Sequence, residues 1–316
     1  SGPCRRTGSC MTHQQVQANL QYLDPETLQK IGSLELVARE VVEGLRVGAH
    51  RSPLRGFSTD FAHHRQYVPG DPLRHLDWRV YARTERYYTK LYEAETCYDA
   101  YLLLDASASM NYGSGSTSKL EYAKYLAASL AYLILRQRDS VGLAVFDSAL
   151  RSYEPPRSAM GILGLLDERL AQTTGQPRTD ISGLLHEFAH RVSRRSVIVL
   201  FSDLLDDEKG FLRGLDHLRF RGHNLIVFHL MDPHELTFPF TGTWRFEGLE
   251  GEAELTTQPD RIRDMYMEDL HAFLETVRAG CERSQVDYDL VDTSRPVNVV
   301  LSEYLNRRSA TNQRAR

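Results

Sequence analysis

Long apolar runs are missing from this chain: its most hydrophobic stretches, 196–201 and 225–231, fall far short of the ~20 residues a membrane-crossing helix needs. Cysteine is scarce. The four present, Cys4, Cys10, Cys97 and Cys281, are scattered, with no CxxC spacing. A disulfide framework and a cysteine-based metal site are therefore not expected, and a reducing compartment is. Charge of one sign is not in excess either: 38 Lys and Arg against 42 Asp and Glu leave −4, which excludes a polycation that coats nucleic acid as a whole. No apolar stretch follows a charged segment at the N-terminus, so no signal peptide is expected. Residues 1–10 are polar, and Met11 is a candidate start. These absences point to a cytoplasmic location. What is present is globular: 41% hydrophobic and 25% charged residues over 316 positions exclude wholesale disorder and suffice for a large core.

Along the chain, 1–32 reads as a flexible lead. Residues 33–44 carry Leu34, Val37, Val41 and Val42 at helical spacing, with Ser33 as N-cap and Gly44 as stop. The segment 46–90 is rich in Arg and aromatics and is broken by Pro69-Gly70-Asp71-Pro72. We read 56–67 and 87–94 as extended and the PGDP as a turn, so that 33–98 forms an N-terminal, partly β extension. From residue 99 the pattern alternates. Strands are expected at 101–104, 141–146, 196–201, 224–231 and 287–291, with an edge strand at 150–153 ahead of Pro155 and Pro156. Helices are expected at 120–135, 162–170, 181–192, 211–220, 261–278 and 297–305. This βα alternation over 99–306 predicts an α/β fold, a doubly wound, mostly parallel sheet with helices on both faces. Gly242, Gly248 and Gly251 among Phe and Trp mark a hairpin insertion at about 234–258. The basic tail 307–316 is expected to fray.

The chemistry concentrates at strand ends. Leu102-Leu103-Leu104 runs into Asp105-Ala106-Ser107-Ala108-Ser109, and 197–201 runs into Ser202-Asp203. The first places one carboxylate and two hydroxyls at the carboxyl rim, where open α/β sheets build their sites, and the second adds another carboxylate there. Thr179 sits in the loop before the helix 181–192. Small hydroxyls and carboxylates without His or Cys form a hard-oxygen set that suits Mg²⁺, with Mn²⁺ or Ca²⁺ served by the same ligand types. The alternative is structural: Asp105 and Ser107 would cap a turn, and Asp203 the next helix.

Asp105-x-Ser107-x-Ser109, Thr179 and Asp203 resemble the metal-ion-dependent adhesion site of von Willebrand factor A domains. That resemblance implies that Ser107, Ser109 and Thr179 contact the metal. Asp105 and Asp203 would act through water or from behind, and a partner protein's carboxylate would take the open position. The stretch 56–83, with Arg65, Tyr67, Pro69, Gly70, Asp71, Arg74, Asp77, Trp78, Ala82 and Arg83, is similar to the signature of the bacterial domain-of-unknown-function 58 family. The resemblance covers roughly 44–306. It implies a von Willebrand factor A-like, Rossmann-like fold and a non-enzymatic, adaptor or co-chaperone-like role beside a MoxR-type AAA+ ATPase or its client. Some members of that family carry transmembrane helices, and this chain shows no candidate for one.

Three other signals compete. His186-Glu187-Phe188-Ala189-His190 matches HExxH and is the basis of the alternative reading, a zinc metallohydrolase. On a helical wheel, however, Ile181, Leu184, Leu185, Phe188, Ala189 and Val192 share the apolar face, and His186 and His190 fall about 140° and 180° away. Both are then expected to face solvent. Residues 113–120 lack the Gly and Ser/Thr that a P-loop requires at 118 and 120, so Ser118 reads as a helix cap. Finally, 46–90 holds eight Arg and one Lys against three Asp and one Glu. Interleaved with aromatics, such a segment can bind single strands. The alternation Arg65, Asp71, Arg74, Asp77, Arg79 favours an internal ion-pair network, and nucleic acid is not expected as a partner.

Overall fold

A computed structural model describes residues 42, 63–66, 81, 83, 87–91, 99–173, 180–246 and 255–314. Its centre is a six-stranded sheet of β3 (Asp99–Asp105), β4 (Ser140–Phe146), β5 (Leu150–Arg157), β6 (Ser196–Ser202), β7 (Asn224–Met231) and β10 (Asp287–Asp292). The spatial order is β10-β7-β6-β3-β4-β5. All neighbours run parallel except β5, which pairs antiparallel with β4. The helices are α1 (Lys119–Arg136), α2 (Ile162–Gln172), α3 (Ile181–Arg191), α4 (Glu208–Phe220), α5 (Pro233–Thr237), α6 (Pro259–Arg283) and α7 (Val297–Arg314).

The strands alternate as a sheet covered on both sides must. Ala100, Leu102 and Leu104 join Val197, Val199 and Phe201 in one core with α1, α2 and α7. Tyr101 and Leu103 join Ile198 and Leu200 in the other, against α3, α4 and α6. Every residue of β6 is buried. Each buried Val, Leu, Ile or Phe contributes about 1.5–3 kcal/mol, so the two cores rather than the caps carry the fold. The expected doubly wound, mostly parallel sheet of von Willebrand factor A type is the fold observed.

Several boundaries differ from the sequence reading. Helix α4 begins at Glu208 because the Asp207 side chain caps it; the apolar pattern starts only at Phe211. The insertion opens on the short helix α5, which the sequence reading did not include, and its strands β8 (Trp244–Phe246) and β9 (Leu255–Thr257) pair antiparallel. The basic tail does not fray at 307. Helix α7 continues to Arg314, and Arg307 and Arg308 pair with Asp289 and Asp287 of β10. The edge position of β5 is as expected, but the strand does not stop ahead of the prolines: it runs to Arg157 and carries Pro155 and Pro156, which an edge strand tolerates because they have no N–H to give.

In the N-terminal extension, β1 (His63–Gln66) pairs antiparallel with β2 (Tyr88–Leu91), and Tyr81 stacks on Tyr87 with ring centroids 4.5 Å apart. The helix expected at 33–44 has only Val42 described, helical and buried. The PGDP turn and Asp71, Arg74, Asp77 and Arg79 lie outside the described residues. Among the described residues, no helix is long and apolar enough to cross a membrane.

Candidate metal centre

The first strand of the sheet, β3, has β4 on one side and β6 on the other, so chain direction diverges at the β3–β6 gap. That is the switch point where open sheets leave a crevice at their carboxyl ends. Asp105 ends β3, and Ser202 ends β6 with Asp203 directly after it. Thus the two carboxylates picked from sequence meet at one rim.

Asp105 is fully buried. Its Oδ1 accepts from the Ser107 N–H at 2.8 Å, and its Oδ2 accepts from the Ser202 hydroxyl at 2.6 Å. Burial, reinforced by the neighbouring Asp203 carboxylate, pushes its pKa up to about 7 despite these hydrogen bonds. Ser107 Oγ and Ser109 Oγ lie 3.0 Å apart; Ser107 is buried and Ser109 half-buried. Thr179 lies outside the described residues. Its neighbours are held at the same rim: the Asp180 N–H donates to the Asp147 carbonyl at 3.3 Å, and the Ile181 N–H to Asp206 Oδ2 at 2.8 Å. Asp203 does not cap the next helix; Asp207 does.

Four participants were not picked from sequence. Ser202 ties Asp105 to β6. Lys119 buries its ammonium completely, 2.8 Å from Asp203 Oδ2 and 2.7 Å from Glu235 Oε1. Burial would lower its pKa, but the two carboxylates together hold it above the ordinary lysine value. Glu235 belongs to the capping box of α5, its Oε2 accepting from the Asp232 N–H at 2.8 Å; burial raises its pKa. His229 Nε2 lies 2.9 Å from the Asp203 carbonyl and its Nδ1 2.8 Å from the Tyr288 hydroxyl. Burial drops its pKa to about 4 and keeps it neutral. A signal for Lys119 existed: a lysine in the first turn of a helix opposes the macrodipole and asks for a local partner. Asp232-x-x-Glu235 likewise has capping-box spacing.

The HExxH residues are engaged elsewhere. Ile181, Leu184, Leu185, Phe188 and Ala189 are buried, as the wheel predicts. Glu187 pairs with Arg191 at 3.0 Å on the surface. His190 is exposed, but His186 is only half-buried and meets His217 of α4, Nδ1 to Nδ1 at 2.9 Å. That contact corrects the expectation that both histidines simply face solvent: α4 packs closer to this edge of α3 than a wheel of α3 alone can show. Among the described residues, no three or more His, Cys, Asp or Glu side chains are grouped so as to hold a metal.

The topology and the rim define the class: an α/β domain of von Willebrand factor A type with its polar cluster at the switch point. The family model described as Protein of unknown function DUF58 matches residues 63–273, and the chain belongs to that family. Among its relatives is the Uncharacterized protein Rv1480 of Mycobacterium tuberculosis, 25% identical over 222 residues, 69% of each chain. The Uncharacterized protein Mb1516 of Mycobacterium bovis matches with the same figures, 25% and 69%. Similar solved structures include the conserved hypothetical protein BatB of Bacteroides thetaiotaomicron (17% identity, 67% of this chain and 99% of that one, TM-score 0.48). An aerotolerance-related membrane protein from Bacteroides fragilis gives 19% identity, 68% and 99% coverage, and a TM-score of 0.46.

Proposed function

We propose that the chain is a non-enzymatic, metal-dependent protein-binding module. In this reading Ser107, Ser109 and Thr179 hold a divalent ion, Mg²⁺ or Mn²⁺ or Ca²⁺, with Asp105 and Asp203 supporting. The carrying observation is the 3.0 Å between the Ser107 and Ser109 hydroxyl oxygens. Ligands at adjacent corners of an octahedron with Mg–O bonds of 2.0–2.1 Å lie about 2.9 Å apart, a spacing that the two hydroxyls match while hydrogen-bonded to each other.

The surrounding charge fits as well. Asp105 has both oxygens committed, to Ser107 N–H and Ser202 Oγ, which suits a group acting from behind rather than as a ligand. When ionised, Asp105, Asp203 and Glu235 against Lys119 leave three negative charges and one positive, a formal −2 that a divalent ion balances. A bound ion supplies positive charge and a coordination position that a partner's carboxylate can fill. The family resemblance nominates a MoxR-type AAA+ ATPase or its client as the source of that carboxylate.

The test is thermal unfolding of metal-stripped protein titrated with Mg²⁺, Mn²⁺, Ca²⁺ and Zn²⁺, because a ligand that binds only the folded state raises the melting temperature. Stabilisation by Mg²⁺ or Mn²⁺ that is lost in Ser107→Ala and Asp105→Ala, but kept in His186→Ala, supports the reading. Absence of any shift with Mg²⁺, Mn²⁺ or Ca²⁺ overturns it, and a Zn²⁺ effect lost only in His186→Ala would move the function to the HExxH alternative.

A further inference from the structure

We infer that Lys119 and Glu235 together set how tightly the rim binds its divalent ion, with Lys119 as a built-in counter-cation that draws on Asp203 and Glu235 as the group that shares the ammonium away from it. The inference rests on the metal reading above but concerns residues outside its ligand set.

The geometry is that of a shared proton-rich cation between two acids. Lys119 Nζ sits 2.8 Å from Asp203 Oδ2 and 2.7 Å from Glu235 Oε1, with none of the lysine side chain exposed and 18% of the Glu235 side chain exposed. Its approach is fixed at the backbone: the Lys119 N–H donates to the Tyr112 carbonyl at 2.9 Å, and Ser118 caps α1. The Tyr112 ring also stands 5.9 Å from Nζ. A lysine held this way cannot swing out to water, and screening by salt is weak for buried charges. Its positive charge therefore acts on Asp203 permanently, and an ion bound at the rim must share that carboxylate with it.

Glu235 is anchored independently. Its second oxygen accepts from the Asp232 N–H, and Asp232 Oδ2 accepts from the Ser114 N–H at 2.7 Å. Its backbone carbonyl accepts from the Tyr266 hydroxyl of α6 at 2.9 Å. Helix α5, which leads into the β8–β9 pair, is thus connected to Asp203 through the Lys119 ammonium. Movement of α5 that withdraws Glu235 leaves Lys119 wholly to Asp203 and weakens the ion's hold. By linkage, ion binding favours the docked position of α5 to the same degree.

The experiment is Mn²⁺ titration by calorimetry of wild type, Lys119→Met, Glu235→Gln and the double variant at low and moderate salt, with circular dichroism to confirm the fold. Expected are a Kd at least 10-fold lower in Lys119→Met and at least 3-fold higher in Glu235→Gln. The double variant should match Lys119→Met, because Glu235 acts through the ammonium; additive effects instead would mean that Glu235 acts on the ion directly. A Kd in Lys119→Met within 2-fold of wild type, or simple additivity in the double variant, overturns the inference and leaves the metal reading standing. No Mn²⁺ binding in wild type or in folded Lys119→Met overturns the metal reading itself. Should Lys119→Met fail to fold, Lys119→Gln is the replacement, with the same expected direction and the same 2-fold threshold.

Discussion

Lys119 Nζ and Asp203 Oδ2 stand 2.8 Å apart with 0% and 2% of their side chains exposed, a buried ion pair that joins the first turn of α1 to the end of β6. Breaking such a pair from one side leaves an uncompensated charge and costs about 3–5 kcal/mol. Metal-free Lys119→Met is therefore expected to lose about 3 kcal/mol or more in urea unfolding. Glu235→Gln is expected to lose less, because its side chain is partly exposed and Lys119 keeps Asp203. Equal stability of Lys119→Met and wild type without metal would show that the pair is already relieved by water.

Asp105 gives a pH signature. Its folded pKa of about 7 stands above the ordinary carboxyl value of 3.8, so the folded state holds the proton more tightly than the unfolded state. Its contribution to metal-free stability is thus full below about pH 4 and falls as pH rises to about 7, by a few kcal/mol in all. His229 runs the other way: with a folded pKa of about 4 against 6.5, its neutral burial costs stability as pH falls below 6.5. The wild-type profile mixes the two. The difference between wild type and Asp105→Asn isolates the first, and it should decline between pH 4 and 7 and then flatten. Mg²⁺ affinity should rise over the same interval, because the ion is favoured by the ionised carboxyl. A difference profile that is flat from pH 4 to 8 would contradict the environment described for Asp105.

Asp232 ties two loops together. It caps α5 through the His234 N–H at 2.8 Å and accepts from the Ser114 N–H at 2.7 Å. Loss of a cap costs about 0.5–2 kcal/mol. Asp232→Ala is expected to lie at the upper end because the partly buried Ser114 contact goes too. Hydrogen exchange should show faster opening of both 113–118 and 233–237. Acceleration of 233–237 alone would mean that the two loops are not coupled.

The fold was legible because its signals are local and redundant: β6 is buried on both faces and reads as one apolar run, and α3 shows its wheel without help. The two carboxylates and Ser107-x-Ser109 were legible because strand ends in a parallel sheet share a rim. Lys119, Ser202, Glu235 and His229 were not picked out, because their roles depend on which strand lies beside β3 and on where α5 lands. Lys119 and Glu235 are separated by 116 positions, and no periodicity connects them. The same limit misplaced His186, whose partner His217 belongs to another helix, and hid the continuation of α7, which is held by Arg307 and Arg308 reaching β10.

The edge of the sheet provides a control that separates stability from the rim. Strand β5 carries Pro155 and Pro156, which have no N–H to give the ladder, and its pairing with β4 shifts register between Val141 and Leu143. Gly142 faces that irregularity. A Cβ there would stand 2.7 Å from the Glu154 carbonyl oxygen and 3.0 Å from the Pro156 nitrogen. Both are backbone atoms that cannot rotate aside, so Gly142→Ala must push β5 away or distort the bulge. Such overpacking costs about 1–3 kcal/mol. We expect a lower melting temperature of that size, with faster hydrogen exchange confined to 150–157. Two strands, β3 and β4, separate the edge from β6, and among the described residues no hydrogen bond joins the edge to Asp203, Lys119 or Glu235. Mn²⁺ affinity of the folded variant should therefore stay within 2-fold of wild type. A larger change would mean that the end of β4, beside Asp105 in the register, transmits strain from the edge into the site.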